Sequence, residues 1–339
     1  MDIKEAFRRS FVVHPFMEVR DGVKFLYQSE FGGGHLIPDE SYALARLREE
    51  LDAVSYSENA PLCEPLGDKT VRINLAAVKG RISPETLCRI FVLSANKIKG
   101  NISSFLEKLT ILSDYFDKSE IDAYMEQYAQ AGYPVVSHTE TYRKLYAPAY
   151  RVVGAEYARL LPILMAIDEK KPHLVAIDGR CGSGKTTAAG LLAEIYDCNL
   201  FHADDYYLPP EMRRAERRGT PGGNMHRERL YAEVLLPVKE TRMVFHRKFD
   251  CETCTLGDTI EVPYKDMTIV EGSYSLHPDL AGAYDLRIFL DIEKDEQLAR
   301  LAIRESPESL EAFKKLWIPM EERYFETFRI RESADIILG

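Results

Sequence analysis

Short apolar runs alternating with amphipathic stretches dominate the second half of this chain. Residues 174–177, 199–202, 267–270, 286–292 and 334–338 read as five strands. The segments between them carry helical periodicity, a pattern that predicts a parallel α/β sheet with helices on both faces. The first half reads differently. Residues 23–27 and 70–74 read as short strands, and residues 84–132 as about three helices broken near Gly100 and Lys118. Leu87, Phe91 and Leu93, then Phe105, Leu109 and Leu112, recur at roughly helical spacing and mark a core face. An α+β segment therefore precedes an α/β one.

A chain of 339 residues is longer than one hydrophobic core usually supports. The apolar stretch 160–167 stops at Asp168-Glu-Lys-Lys-Pro172, the strongest linker signal, because a helix must end before the proline. The helix predicted over 153–168 fits either side of it, and the expected domains are 1–150 and 151–339. With 54 acidic against 44 basic residues the net charge is -10, which disfavours nucleic acid as a partner. No apolar run reaches membrane-spanning length and the start has no signal-like pattern, so the expectation is a cytoplasmic protein without a membrane partner. A homo-oligomer stays open. Cys251-Glu-Thr-Cys254 lacks a second ligand pair and reads as a hairpin with two reduced thiols, not a zinc site.

Candidate chemistry enters at Gly179-Arg180-Cys181-Gly182-Ser183-Gly184-Lys185-Thr186, which fits GxxxxGK[ST]. It directly follows a strand and opens a helix over 186–195, the context the motif requires. The glycines let the backbone curl until successive N–H groups point at one anionic site. In this reading residues 179–187, Thr187 included, cradle the phosphates of ATP. Lys185 neutralises the charge of the moving phosphoryl group, and Thr186 ligates Mg2+.

Ligands of a doubly wound sheet collect at the C-terminal strand ends. Two carboxylate positions stand there: His202-Ala-Asp204-Asp205-Tyr206-Tyr207 after the second strand, and Glu271-Gly-Ser-Tyr after the third. A hydroxyl is a poor nucleophile at neutral pH, so Asp204 is the candidate base and Glu271 the candidate carboxylate for Mg2+. Asp-Asp after a strand is also a common turn, and one of the two fits that role. Glu271 could also pair with Lys185 in the empty protein.

These segments, together with Asp291 through Arg304 to Ile337, resemble the uridine kinase and phosphoribulokinase branch of P-loop kinases, to which nicotinamide riboside kinase also belongs. The resemblance covers about 172–339. It implies a kinase core with Asp204 as catalytic base, Tyr206 and Tyr207 as the aromatic pair at the acceptor, and Glu271 as the acidic residue after its strand. Arg300 and Arg304 correspond to the arginines of the lid helix. Four residues apart, they share a face, which could instead be solvated. Phe313, Trp317 and Tyr324 beyond a short lid read as packing residues.

Where the family holds ribose hydroxyls with an Asp, this chain has Gly222-Gly-Asn224-Met-His226-Arg-Glu-Arg229. Asn224, His226, Glu228 and Arg229 are thus candidates for substrate contact or for helix capping. The base-reading hairpin of uridine kinases should fall at 244–251, where its Tyr and His do not align. Arg213, Arg214, Arg217 and Arg218 form either a site for an acceptor that carries phosphate or a solvated basic loop.

The expected activity is therefore transfer of the γ-phosphate of ATP, with Mg2+, to a hydroxyl of a nucleoside, riboside or sugar-like small molecule. The alternative is a nucleotide-driven switch or regulatory ATPase with a partner on the first domain. A third reading is a bifunctional enzyme. The first half also holds the Gly-rich turn Glu30-Phe-Gly-Gly-Gly34-His35, on which His14, Arg72, Asn74 and His138 could converge as a second site, or which is simply a turn.

Overall fold

Glu18 and Asp21 exchange side-chain-to-backbone hydrogen bonds across the first turn of a helix, Val19–Phe31. This capping box supports helix formation in a segment whose local alternation predicts a strand at 23–27. Val19, Val23 and Leu26 then fall on one buried face, so that strand expectation is corrected to helix. The computed structural model describes residues 1–251 and 253–339, with the Arg218 side chain also outside the described set.

Two units are distinguished, Met1–Glu169 and Lys170–Gly339. In the first, β1 (Cys63–Pro65), β2 (Thr70–Asn74) and β3 (Tyr150–Gly154) form an antiparallel sheet with β2 in the middle. The pairing of Thr70 with Gly154 through Asn74 with Tyr150 ties residues 150–154 to this sheet. That is why the division falls at Glu169/Lys170, within the charged Asp168–Pro172 segment, and not at 150/151. Helices Pro84–Lys97, Ile102–Leu109 and Lys118–Gln130 occupy the stretch expected to hold three helices. Phe7, Phe25, Leu26 and Phe105 lie at the centre of the core.

The second unit is built on β4 (Leu174–Gly179), β5 (Cys198–His202), β8 (Met267–Glu271), β9 (Leu286–Leu290) and β10 (Ile336–Leu338), with β6 (Val244–Asp250) and β7 (Thr255–Val262) forming a separate hairpin. The five-stranded sheet has the order β10-β9-β4-β8-β5, and every pair in it is parallel. Helices connect its strands, as parallel pairing requires. The β4 strand is fully buried and central, so the loop that follows it emerges in the middle of the carboxyl edge.

Gly179 closes β4 at φ 140°, and a Cβ there would lie 2.1 Å from the Leu290 carbonyl oxygen of β9. The obstacle is backbone, which cannot rotate away. Gly179→Ala is expected to lower stability by about 2–5 kcal/mol, from backbone strain and overpacking together. Urea unfolding measures this, and an unchanged midpoint would remove Gly179 from the reasons the loop takes this path. Among the described residues no helix is long and apolar enough to cross a membrane.

Candidate active site

The sheet register brings the chemistry together. Glu271 is paired with Ile177 of β4 on one side and His202 of β5 on the other. The residues after these strands, Asp204 and the phosphate loop, therefore open on one cavity. Gly272 makes the approach close: at φ 136° it leaves only 2.8 Å between a hypothetical Cβ and the Ala203 methyl.

The cavity has a volume of about 410 Å3. Cys181, Gly182, Gly184, Lys185, Thr186 and Thr187 of the loop line it, as do Asp204, Tyr207, Asn224 and Glu271. Arg300 and Arg304 reach it from the helix Lys294–Arg304. Of the other residues expected at the site, Gly179, Arg180, Ser183, Tyr206, His226 and Arg229 do not line it.

The loop is held from several sides. Beneath it, Asp178 accepts from the Gly179 N–H (2.7 Å), the Leu276 N–H (2.9 Å) and the Tyr324 hydroxyl (2.9 Å), and burial pushes its carboxyl up to about 6. The Arg180 guanidinium pairs with Glu322 (2.6 Å) and Asp291, away from the cavity. Glu321, 5% exposed, accepts from the Cys181 N–H (2.9 Å) and from the Ser273 hydroxyl (2.6 Å). Gln297 donates to the Cys181 carbonyl (2.9 Å) and Arg300 to that of Gly182 (3.2 Å).

Lys185 donates to the carbonyls of Gly179 (2.7 Å) and Arg180 (3.1 Å), not to Glu271. Glu271 instead accepts from the Thr186 hydroxyl (3.1 Å) and faces His202 Nδ1 at 2.6 Å. The hydrogen bond to Glu271 raises the pKa of His202. Nothing in the linear pattern singled out His202, because its role appears only when β5 and β8 pair.

Asp204 stands at the cavity with its tip open to solvent. The protein around the cleft raises its pKa above the ordinary Asp value, while the charge of Lys185 works the other way. The Tyr207 hydroxyl donates to it at 3.2 Å. Its neighbour Asp205 takes the turn role: it pairs with Lys248 (3.1 Å), and its carbonyl accepts from Arg229 (2.5 Å).

Tyr206 points into the core and is 0% exposed, with its hydroxyl 3.2 Å from His246 Nδ1. Arg229 lies over that ring, 4.3 Å from its centroid, and also donates to the Arg247 carbonyl. Both face the interior, the Tyr206 hydroxyl towards His246 and the two terminal guanidinium nitrogens of Arg229 towards backbone carbonyls. His226 is turned by its backbone, whose N–H donates to the Tyr206 carbonyl at 2.7 Å. The pairing of Tyr207 with Met225 leaves Asn224 at the cavity.

Trp317, the only tryptophan, lines this cavity together with Phe313. Of the three residues expected to pack, Phe313, Trp317 and Tyr324, only Tyr324 is fully buried. Trp317 also lines an adjoining cavity of about 520 Å3, as do Tyr207, Asn224, Arg213 and Met320. The other arginines do not gather there: Arg217 pairs with Glu228 (2.8 Å), and Arg214 is exposed. The Arg218 side chain lies outside the described residues.

A central strand, a glycine-rich phosphate loop, the helix Lys185–Ile195 behind it and carboxylates on the flanking strand ends define the P-loop kinase class. In sequence, about half of the chain is similar to uridine kinases. It is 26% identical over 187 residues to a uridine kinase of Ureaplasma parvum serovar 3, taking in 50% of this chain and 90% of that one. With a uridine kinase of Clostridium novyi it shares 26% identity over 183 residues, 50% of this chain and 87% of the other. A solved structure of a possible uridine kinase from Bacillus stearothermophilus overlaps 49% of this chain and 88% of its own, at 21% identity and a TM-score of 0.39. No family model matches the chain.

Proposed function

We propose that the second unit transfers the γ-phosphate of ATP to a hydroxyl of a small molecule, with Asp204 as the base. The observation that carries this is the convergence of Asp204, Lys185 and Thr186 on one cavity, with a second cavity beside it that shares Tyr207 and Trp317. The loop amides and Lys185 bind the phosphates, and Arg300 and Arg304 complete the cationic wall. Tyr207 orients the Asp204 carboxylate, which takes the proton of the acceptor hydroxyl as its oxygen bonds to phosphorus and ADP departs.

The Thr186 hydroxyl and the Glu271 carboxylate, 3.1 Å apart and facing the cavity, are the hard oxygen donors that suit Mg2+. Mg2+ held by these two residues would supply positive charge against the phosphates. His202 holds the Glu271 carboxylate in place for that role. The adjoining cavity, walled by Tyr207, Leu208, Leu316, Trp317 and Met320, suits an acceptor with a flat or apolar body. Arg213 stands at the same wall, although its Nε–H is already donated to the Leu208 carbonyl (2.8 Å).

ADP release is to be measured with Mg2+ and ATP across nucleosides, ribosides, sugar phosphates and vitamin-like alcohols, with Asp204→Asn as the blank. At least one compound is expected to raise it in an Asp204-dependent way. Slow hydrolysis indifferent to every acceptor would favour a regulatory ATPase instead.

A further inference from the structure

The first unit contains a cavity of about 680 Å3 that the phosphoryl chemistry does not use. Arg72 of β2 stands at it with only 2% exposure. Its guanidinium donates to Glu64 Oε2 (2.9 Å), and to Gln28 Oε1 through Nε (3.0 Å) and Nη2 (2.8 Å). The same group lies over the Tyr150 ring, 4.5 Å from its centroid. Glu64 also accepts from the Ser10 hydroxyl at 2.5 Å.

A second relay reaches the cavity from behind. Asp21 can only accept, so His138 donates to it through Nδ1 at 2.8 Å. Burial lowers the His138 pKa to about 4, which leaves the ring neutral and Nε2 free to accept the Tyr150 proton at 2.7 Å. The Tyr150 hydroxyl thus sits between His138 Nε2 and Gln28 Oε1 (3.3 Å), which joins this relay to the Arg72 network. Of the residues singled out in the sequence, His14, Arg72 and Asn74 line this space, and His138 reaches it through Tyr150. The Gly-rich turn is not part of it. Glu30 is committed to the Asn101 N–H (2.9 Å) and to Lys108 (2.8 Å).

Burying a guanidinium–carboxylate pair is costly unless every partner is in place, and here the Arg72 end is sealed in while the Glu64 carboxylate, 28% exposed, opens on the cavity. We propose that this cavity binds a small, uncharged, planar heteroaromatic compound bearing N–H or O–H donors, of the nucleoside or nucleobase class. The flat body follows from the walls, which include the rings of Tyr146, Tyr150 and His14. The lack of charge follows from the Arg72–Glu64 pair: an anion meets the carboxylate and a cation meets the guanidinium, while neither is left unpaired for it. The donors follow from the polar face, where the partly exposed Glu64 carboxylate is an acceptor. The volume lies within the usual range for such ligands.

This inference does not depend on the kinase reading. Calorimetric titration of the full chain with uridine, cytidine, adenosine, guanosine and their free bases is expected to give saturable binding of at least one. The corresponding 5′-monophosphate is expected to bind at least ten-fold more weakly. Glu64→Gln should weaken binding ten-fold or more. Since that change strands the buried Arg72 charge, Ala60→Trp provides a second variant that fills the cavity without touching the network, and it should abolish binding at an unchanged melting temperature. Asn224→Ala, in the other unit, should leave it intact. Absence of binding by every compound, persistence in both Glu64→Gln and Ala60→Trp, preference for the monophosphate, or loss in Asn224→Ala would each overturn the proposal.

Discussion

Replacing Asp204 by Asn is expected to lower phosphoryl transfer by about two to four orders of magnitude while ATP binding is retained. The substitution keeps the size of the side chain and an oxygen that can accept from the Tyr207 hydroxyl, so the loop has no reason to move. What it removes is the proton acceptor. Since Asp204 is assigned no phosphate contact, nucleotide affinity measured by titration should stay within a few-fold of the parent, and the loss should fall in kcat. The raised pKa adds a second signature. The base is the ionised form, so activity is lost as pH falls through the Asp204 pKa, and that acid limb lies above the ordinary value of 3.8. The limb should vanish from the residual activity of the variant. A rate close to that of the parent would take Asp204 out of the mechanism.

Lys185→Ala is expected to cost at least about a thousandfold in turnover, because it removes a full positive charge from the place where phosphate charge shifts during transfer. In the structure the ammonium is turned onto the Gly179 and Arg180 carbonyls, which makes it a brace of the loop as well. Losing that brace should cost about 1–2 kcal/mol of stability, so the melting temperature must be recorded alongside the rate. Lys185→Arg should not restore turnover, since a planar fork does not fit a nest that holds an ammonium on two carbonyls. Turnover equal to the parent's in a folded Lys185→Ala protein would undo the phosphate-loop reading altogether.

Neither variant bears on the cavity of the first unit. Its polar network joins Asp21, His138, Tyr150, Gln28, Arg72 and Glu64, residues spread from one end of that unit's sequence to the other. His14, Arg72, Asn74 and His138 could be picked out of the sequence as polar residues able to converge, although on the Gly-rich turn at 30–35. The relay through Tyr150 could not, because no strand is predicted at 150–154 and the helix predicted over 153–168 overlaps the end of β3.

Local spacing along the chain was enough wherever the chemistry follows from near neighbours. A glycine-rich turn between a strand and a helix can take few backbone paths, so the place of the loop between β4 and the helix Lys185–Ile195 was legible. Asp204 and Glu271 were legible because each directly follows an apolar run, and parallel strands share one carboxyl edge. Tertiary structure decided what local pattern leaves open. In the Asp-Asp-Tyr-Tyr segment all four residues are candidates until the backbone pairs with 224–226. That pairing turns Tyr206 and the carbonyl of Asp205 inward to meet Arg229, and leaves Asp204, Tyr207 and Asn224 at the cavity. His202 became part of the site through a strand neighbour 69 residues away. Residues 23–27 became helix because a cap upstream and a core face outweighed their own alternation. In each case the deciding contact is long-range or lies outside the segment, and no window of neighbouring residues contains it.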